Sequence, residues 1–147
     1  MTMTAYEWRR YPGDASLADA FTVRRAVFIE EQGVDEAEEM DGRDETAVHY
    51  VVYDGVGQPV GTARLRPPEG DVAKPERVAV RRASRSQGLG HGLMDRIEAE
   101  ARDQDCTLSR LHAQTSVVPF YEKRGYEVTS EEFVEADIPH VEMEKEL

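Results

Sequence analysis

At 147 residues the chain has the length of one domain, large enough to bury about 70% of its unfolded surface without disulfides or metals. With 18 Lys plus Arg against 30 Asp plus Glu its formal net charge is −12, which disfavours nucleic acid as a partner. The single Cys106 excludes an intramolecular disulfide and, with no second Cys nearby, a zinc site of the usual type; it reads as a small buried residue, and no metal is expected.

In chain order, residues 1–7 (Met-Thr-Met-Thr-Ala-Tyr-Glu) lack the positive start and apolar centre of a signal peptide, and residues 5–11 read as a first strand. Asp14 or Ser16 then caps a helix in which Leu17, Ala20, Phe21, Val27 and Phe28 recur at helical spacing. Two strands follow at 47–54 and 59–66, joined by the turn residues Asp54, Gly55, Val56 and Gly57. The longest apolar run, 47–53, is interrupted by His49 and too short to span a bilayer, so no membrane contact and a cytoplasmic location are expected. Pro67, Pro68, Glu69 and Gly70 end that hairpin. A strand at 76–80 enters a glycine-rich turn, and the next helix buries Leu89, Leu93, Met94, Ile97 and Ala101. A strand at 108–114 precedes a helix that Ser116 caps and Gly125 stops. Residues 127–135 and 138–144 pair as a last hairpin. Alternating strands and helices without repeats or linkers imply one α/β domain over 1–147.

The acid excess as a whole reads as adaptation to a salty cytoplasm, in which screening tolerates dense carboxylates. The segment 30–45, with nine acids against Arg43 alone, fits that reading and equally an acidic surface recruiting a cationic acceptor such as a polyamine or a lysine side chain.

The glycine-rich turn carries the chemistry. Val78, Ala79 and Val80 lead through Arg81 and Arg82 to Arg85, Ser86, Gln87, Gly88, Leu89, Gly90, His91 and Gly92. Glycine admits close approach of a ligand, and the first amides of a helix have no intrahelical acceptor, so such a turn holds anions. Arg77, Arg81, Arg82 and Arg85 fall within nine residues free of Asp and Glu. Two familiar phosphate loops are excluded: no Gly-Lys pair exists for a nucleotide-triphosphate loop, and Gly88-x-Gly90-x-Gly92 is not the dinucleotide spacing. What remains is Arg85-x-x-Gly88-x-Gly90. Downstream, Leu111-His112-Ala113-Gln114 is followed by Phe120-Tyr121-Glu122-Lys123-Arg124-Gly125-Tyr126.

The two motifs together resemble the signatures of the GCN5-related N-acetyltransferase (GNAT) family. The resemblance spans residues 5 to the end. Residues 23–32, 39–44 and 47–49, with Ala113-Gln114 and Ile138-Pro139-His140, look like its ElaA-like branch. One departure is Gln114, where many members place Asn; Gln still donates and accepts hydrogen bonds. The resemblance implies an acyl-CoA N-acyltransferase fold, a mixed and mostly antiparallel sheet with splayed central parallel strands flanked by helices. It implies direct transfer of acetyl from acetyl-CoA to a primary amine of a small-molecule or peptidyl acceptor. Arg85 and the amides from Ser86 to Gly92 would clamp the pyrophosphate, while the backbone of Val78, Ala79 and Val80 pairs with the pantetheine arm. Tyr121 would protonate the leaving thiolate, and Glu76 would be the base, with His49, His112 and His140 as rivals. Plainer readings stand beside these: Tyr121 as a core aromatic, Glu76 as an ion-pair partner, the histidines as structural groups. The alternative function is a non-catalytic acyl-CoA-binding sensor or interaction module. Homodimers occur in the family, and the last hairpin is the candidate interface.

Overall fold

The computed structural model describes residues 5–147; Met1 to Thr4, which carry part of the N-terminal reading, lie outside the described residues. Strands β1 (Glu7–Pro12), β2 (Val48–Tyr53), β3 (Pro59–Glu69), β4 (Val72–Val80), β5 (Leu108–Gln114), β6 (Glu127–Val128), β7 (Phe133–Glu135) and β8 (Ile138–Glu146) form one sheet. Its order is β1-β2-β3-β4-β5-β8-β6, with β7 also paired to β8. Among the described residues only β4 and β5 are parallel; the other pairings are antiparallel. Helices α1 (Ala18–Arg24), α2 (Glu36–Glu39), α3 (Leu89–Asp103) and α4 (Val118–Glu122) complete the fold.

The main core lies under α3. Leu89, Leu93, Met94, Ile97 and Ala101 are buried as their spacing predicts, and they meet the inward residues Ala63, Leu65, Ala73, Leu111, Ala113 and Met143 of the sheet. Each large apolar side chain here contributes roughly 1.5–3 kcal/mol of burial. Alternation along the strands sends Arg64, Arg66, Lys74, Glu76, Arg110 and His112 to the opposite face. That face is covered only in part, by α1 and the residues that continue it, through Ala20 against Val51 and through Val23 and Val27 against Ala79.

Three local expectations are corrected. Neither Asp14 nor Ser16 caps α1, whose N-cap is Leu17 without a side-chain bond. The preceding residues are spent on a reverse turn closed by Ala15 N–H to the Pro12 carbonyl at 3.0 Å. Ser116 likewise caps nothing; it sits inside a 3₁₀ turn, Thr115–Val117, that runs into α4. Pro67 and Pro68 do not end β3, which continues to Glu69. Prolines are tolerated there because the partner β2 is left behind at Leu65 and the β3–β4 register shifts between Arg66 and Glu69. Beyond α1 the chain also continues as a π-helical stretch, Arg25–Glu31. That wider winding is common at functional sites.

The parallel strands part soon after they meet. They pair only at Val72 with Leu108 and Ala73 with Ser109. Asp71 gives its carbonyl to Thr107 across this gap at 2.8 Å, so Pro75, of the same alternation, is where a further N–H toward β5 would stand, and proline has none. A bulge follows: Thr62 pairs with Ala79 and Arg64 with Glu76, so Arg77 and Val78 oppose Ala63 alone. Arg77 takes φ +56° to make it.

Candidate active site

The parted strands open a cleft of about 1050 Å³. Val78, Ala79 and Val80 line one wall, with β4 unpaired on the β5 side; Leu111, His112, Ala113 and Gln114 line the other, and Tyr121 of α4 also faces the cleft.

At one end lies the glycine-rich turn. Gly88 is the N-cap of α3 with φ +77°, a left-handed conformation that costs an L side chain about 1–2 kcal/mol. The amides of Ser86, Gln87, Gly88, Leu89, Gly90 and His91 donate to no acceptor among the described residues. Six consecutive free donors at the start of a 15-residue helix have the arrangement that suits an anion. The donor run is shorter than expected, because Gly92 N–H already bonds the Gly88 carbonyl at 3.1 Å. Gly92 is needed for packing instead: a Cβ there would lie 2.3 Å from Trp8 Cη2. Gly90 is crowded on its side-chain side by Phe120, 3.1 Å from a would-be Cβ. The His91 ring stacks on Phe120 with centroids 4.4 Å apart and meets Arg124 at 3.2 Å, so its side chain is engaged away from the turn.

Arg85 is also engaged. Its Nε donates to the Val80 carbonyl at 2.9 Å, and its two terminal nitrogens bond Glu31 at 2.8 and 2.7 Å. Arg82 adds a pair to Glu31 at 3.5 Å. The Arg85 hydrogen bond holds the Glu31 carboxyl below its ordinary value. This partner was invisible in the sequence, since Glu31 reaches the turn only through the π-helical stretch.

Five of the nine acids in segment 30–45, Glu31, Glu36, Glu39, Asp41 and Asp44, pair with arginines from other parts of the chain. Arg24, buried, binds Glu39 at 2.6 Å and Asp44 at 2.6 Å. Arg64, equally buried, binds Asp41 at 2.9 Å and Asp44 at 3.0 Å and pairs with Glu76. Arg77 Nε lies 3.1 Å from Glu39, and its Nη2 lies 3.3 Å from the carbonyls of Glu38 and Glu39. These contacts hold its strained bulge. Arg25 pairs with Glu36, and Asp35 caps α2 by accepting the Ala37 N–H at 3.2 Å. Burial pushes the Asp41 carboxyl up, but the hydrogen bonds and charge of Arg64 outweigh it, and the net direction is down. For these carboxylates the reading as a cation-recruiting surface gives way to a structural one. The two buried arginines that overturn it carry no sequence signal beyond their positions among apolar residues.

The proton-transfer candidates separate by geometry. Tyr121 is buried, its ring edge-on to Phe120 and Tyr126 at 5.0 and 5.6 Å. Its hydroxyl makes no hydrogen bond among the described residues, and burial pushes its pKa up, so the phenol keeps its proton at neutral pH. Glu76 lines the cleft but pairs with Arg64 and, at 3.5 Å, with Arg66. His49 is fully buried outside the cleft; burial pushes its pKa down, and Nε2 bonds the Asp44 carbonyl at 3.0 Å. His140 lines the cleft, mostly buried, with Nδ1 donating to the Ile138 carbonyl at 2.7 Å. His112 is half-exposed in the cleft, and its Nδ1 meets Glu135 at 3.0 Å. Gln114 donates to Gln32 across the cleft at 2.8 Å.

The acetyltransferase (GNAT) domain family matches residues 16–147. The uncharacterized N-acetyltransferase YjcF of Bacillus subtilis is 45% identical over 134 residues, covering 90% of this chain and 94% of that protein. An acyl-CoA N-acyltransferase from Pseudomonas aeruginosa superposes with TM-score 0.83 at 30% identity, over 96% of this chain and 99% of that one. ElaA of Escherichia coli superposes with TM-score 0.85 at 25% identity, over 96% and 99%. No helix among the described residues is long and apolar enough to cross a membrane. With the splayed strands, the free amides of the α3 turn and these likenesses in agreement, the chain belongs to the GNAT family and is an acyltransferase.

Proposed function

We propose that the protein transfers an acetyl group from acetyl-CoA directly to the primary amine of a small-molecule or peptidyl acceptor. The observation that carries this reading is the run of free amides from Ser86 to His91, which follows Arg85 out of a cleft that Tyr121, its hydroxyl unbonded, also lines. The amides suit a pyrophosphate, and open space at Gly88, with no atom within 4 Å of a Cβ there, lets it approach the backbone. Arg85 joins the clamp by exchanging Glu31 for phosphate. The unpaired edge from Val78 to Val80 suits the amides of the pantetheine arm. A GNAT acetyltransferase of Elizabethkingia anophelis with the same fold, TM-score 0.74 at 14% identity, was solved with acetyl-CoA bound.

Holding donor and acceptor in attack geometry supplies up to roughly 7–11 kcal/mol of the barrier. Tyr121 then donates its proton to the departing thiolate, and Glu76 offers negative charge to the incoming ammonium. Calorimetric titration tests the donor: acetyl-CoA binds the wild type, and Arg85→Ala with Gly88→Asp abolishes binding. Tyr121→Phe tests the acid: its kcat falls on the order of 10²-fold with stability unchanged, since the hydroxyl bonds nothing. No acetyl-CoA binding to the wild type refutes the reading.

A further inference from the structure

We propose that His112, oriented by Glu135, is the base that takes the proton from the acceptor ammonium. The assignment rests on the acyl-transfer reading above.

β4 and β5 last pair at Ala73 and Ser109. Glu76 and His112 each stand three residues beyond, so they occupy matching places on the two walls where the strands have parted. Both line the cleft. An incoming ammonium placed between them meets a carboxylate on one side and an imidazole on the other. Of the histidines in or near the cleft, His112 has the arrangement a base requires. Its Nδ1 is 3.0 Å from Glu135 Oε1, and a carboxylate there fixes the proton on Nδ1. Nε2 then keeps its lone pair, and it has no hydrogen-bond partner among the described residues. A carboxylate that orients an imidazole in this way also makes it more basic. His140 is the poorer candidate: it is mostly buried, a neutral carbonyl and not a carboxylate stands at its Nδ1, and its Nε2 faces Glu135 Oε2 at 3.8 Å.

Glu135 is itself held. It ends β7, and the two-residue turn to β8 places Ala136 at φ +51° and Asp137 at φ +61°. Those are the dihedrals of the tight hairpin turn normally reserved for Asn and Gly, so this strained connection fixes the register of Glu135. Phe133 packs edge-on to the His112 ring at 5.0 Å and stacks on His140 at 6.0 Å. The charged and titratable groups around His112 are Glu135 of β7, Glu142 and His140 of β8, and Glu76 of β4, with Arg110 of β5 paired to Glu142 at 3.2 Å and Arg77 of β4 acting on Glu135. The Glu135 hydrogen bond comes first in raising its pKa, burial opposes, and the charges of Glu135, Glu142 and Glu76 add to the rise.

The acceptor enters as an ammonium, and one proton passes to His112 Nε2 and on to solvent. The freed lone pair forms the C–N bond to the thioester carbonyl. On collapse the C–S bond breaks, the second nitrogen proton leaves to solvent, and Tyr121 protonates the thiolate and recovers its proton from solvent. One proton is released overall.

Two probe amines separate the roles. Ethylamine is protonated at neutral pH and needs the base; methoxyamine is not protonated and does not. Release of coenzyme A thiol is followed with each, in wild type and His112→Gln. The variant loses on the order of 10²-fold in kcat with ethylamine and stays within about threefold with methoxyamine. Equal loss with both amines, or no loss with either, overturns the assignment. ¹⁵N spectra of the histidine rings give a readout free of turnover: neutral His112 carries its proton on Nδ1 and titrates above an ordinary histidine. Protonated His112 cannot accept, so the rate rises as pH climbs through its pKa. Glu135→Gln keeps the hydrogen bond, lowers that pKa and moves the acid limb of kcat to lower pH. A proton on Nε2, or an acid limb indifferent to Glu135→Gln, overturns it. If wild type binds acetyl-CoA but releases no thiol with either amine while the ring spectra hold, transfer to amines itself fails and the assignment falls with it.

Discussion

Replacing Arg24 by Met removes the centre of the buried ionic cluster while keeping most of the side-chain volume. Arg24 is 1% exposed and donates to Glu39 Oε2 at 2.6 Å, to the Glu39 carbonyl at 3.0 Å and to Asp44 Oδ1 at 2.6 Å. The variant leaves the side chains of Glu39 and Asp44, 4% and 9% exposed, short of a cation. Breaking a buried pair by removing one partner costs about 3–5 kcal/mol. Glu39 keeps Arg77 at 3.1 Å and Asp44 keeps Arg64 at 3.0 Å, so the loss falls at the low end, about 3 kcal/mol, or a drop in Tm of about 6–12 °C for a chain of this length. Urea denaturation at neutral pH measures it, with the slope m as a check on two-state behaviour. The pH dependence has a definite sign. Burial pushes the folded Asp44 carboxyl up, but Arg24 and Arg64 bring it below its ordinary value. Its stabilisation is therefore complete above the ordinary value of about 3.9 and lost as pH falls through the folded one. The gap between wild type and variant narrows toward that range. A loss under about 1 kcal/mol at neutral pH with unchanged m would refute the cluster as a support of the fold.

Gly92→Ala gains about 1 kcal/mol of helix propensity but drives a Cβ to 2.3 Å from Trp8, whose ring is already covered by Arg96 at 3.9 Å. Overpacking of about 1–3 kcal/mol makes the variant less stable by thermal melting, with acetyl-CoA affinity of the folded protein unchanged. A tenfold weaker affinity would return Gly92 to the donor site. Glu31→Gln frees Arg85, so acetyl-CoA binds several-fold tighter by calorimetry, up to about tenfold or 1.4 kcal/mol; weaker binding would show that the pair supports the site instead of competing for it. His49 is neutral in its buried place, its pKa pushed down mainly by burial. The stability this entails is full above the ordinary value of about 6.5 and declines as pH falls through the folded one. His49→Gln flattens that decline in a pH series of denaturation curves, and an unchanged slope would clear His49 of any part in it.

Much of the site was legible because its chemistry is local. The turn from Val80 to Leu89, the apolar face of α3 and the Tyr121 helix are runs of neighbours along the chain, and propensity and periodicity act on neighbours. The strand at 108–114 coincides with β5 for the same reason. What escaped was decided between distant residues. Glu31 meets Arg85 only after a π-helical stretch widens the end of α1. Glu135 meets His112 because β5 and β7 both pair with β8, where Gln114 and Phe133 face the same residue, His140.

The amino-acid sequence by itself determined the order of strands and helices, the family and the glycine-rich turn, since each is written in contiguous residue types. Only the tertiary structure decided which carboxylates are spoken for, that the Gly92 N–H is bonded within the helix with Trp8 packed against it, and that His112 has a carboxylate behind it. Those outcomes follow from sheet register and from where Pro75 lets β4 and β5 part, and a pairing across a sheet depends on both strands at once, which neither strand encodes alone.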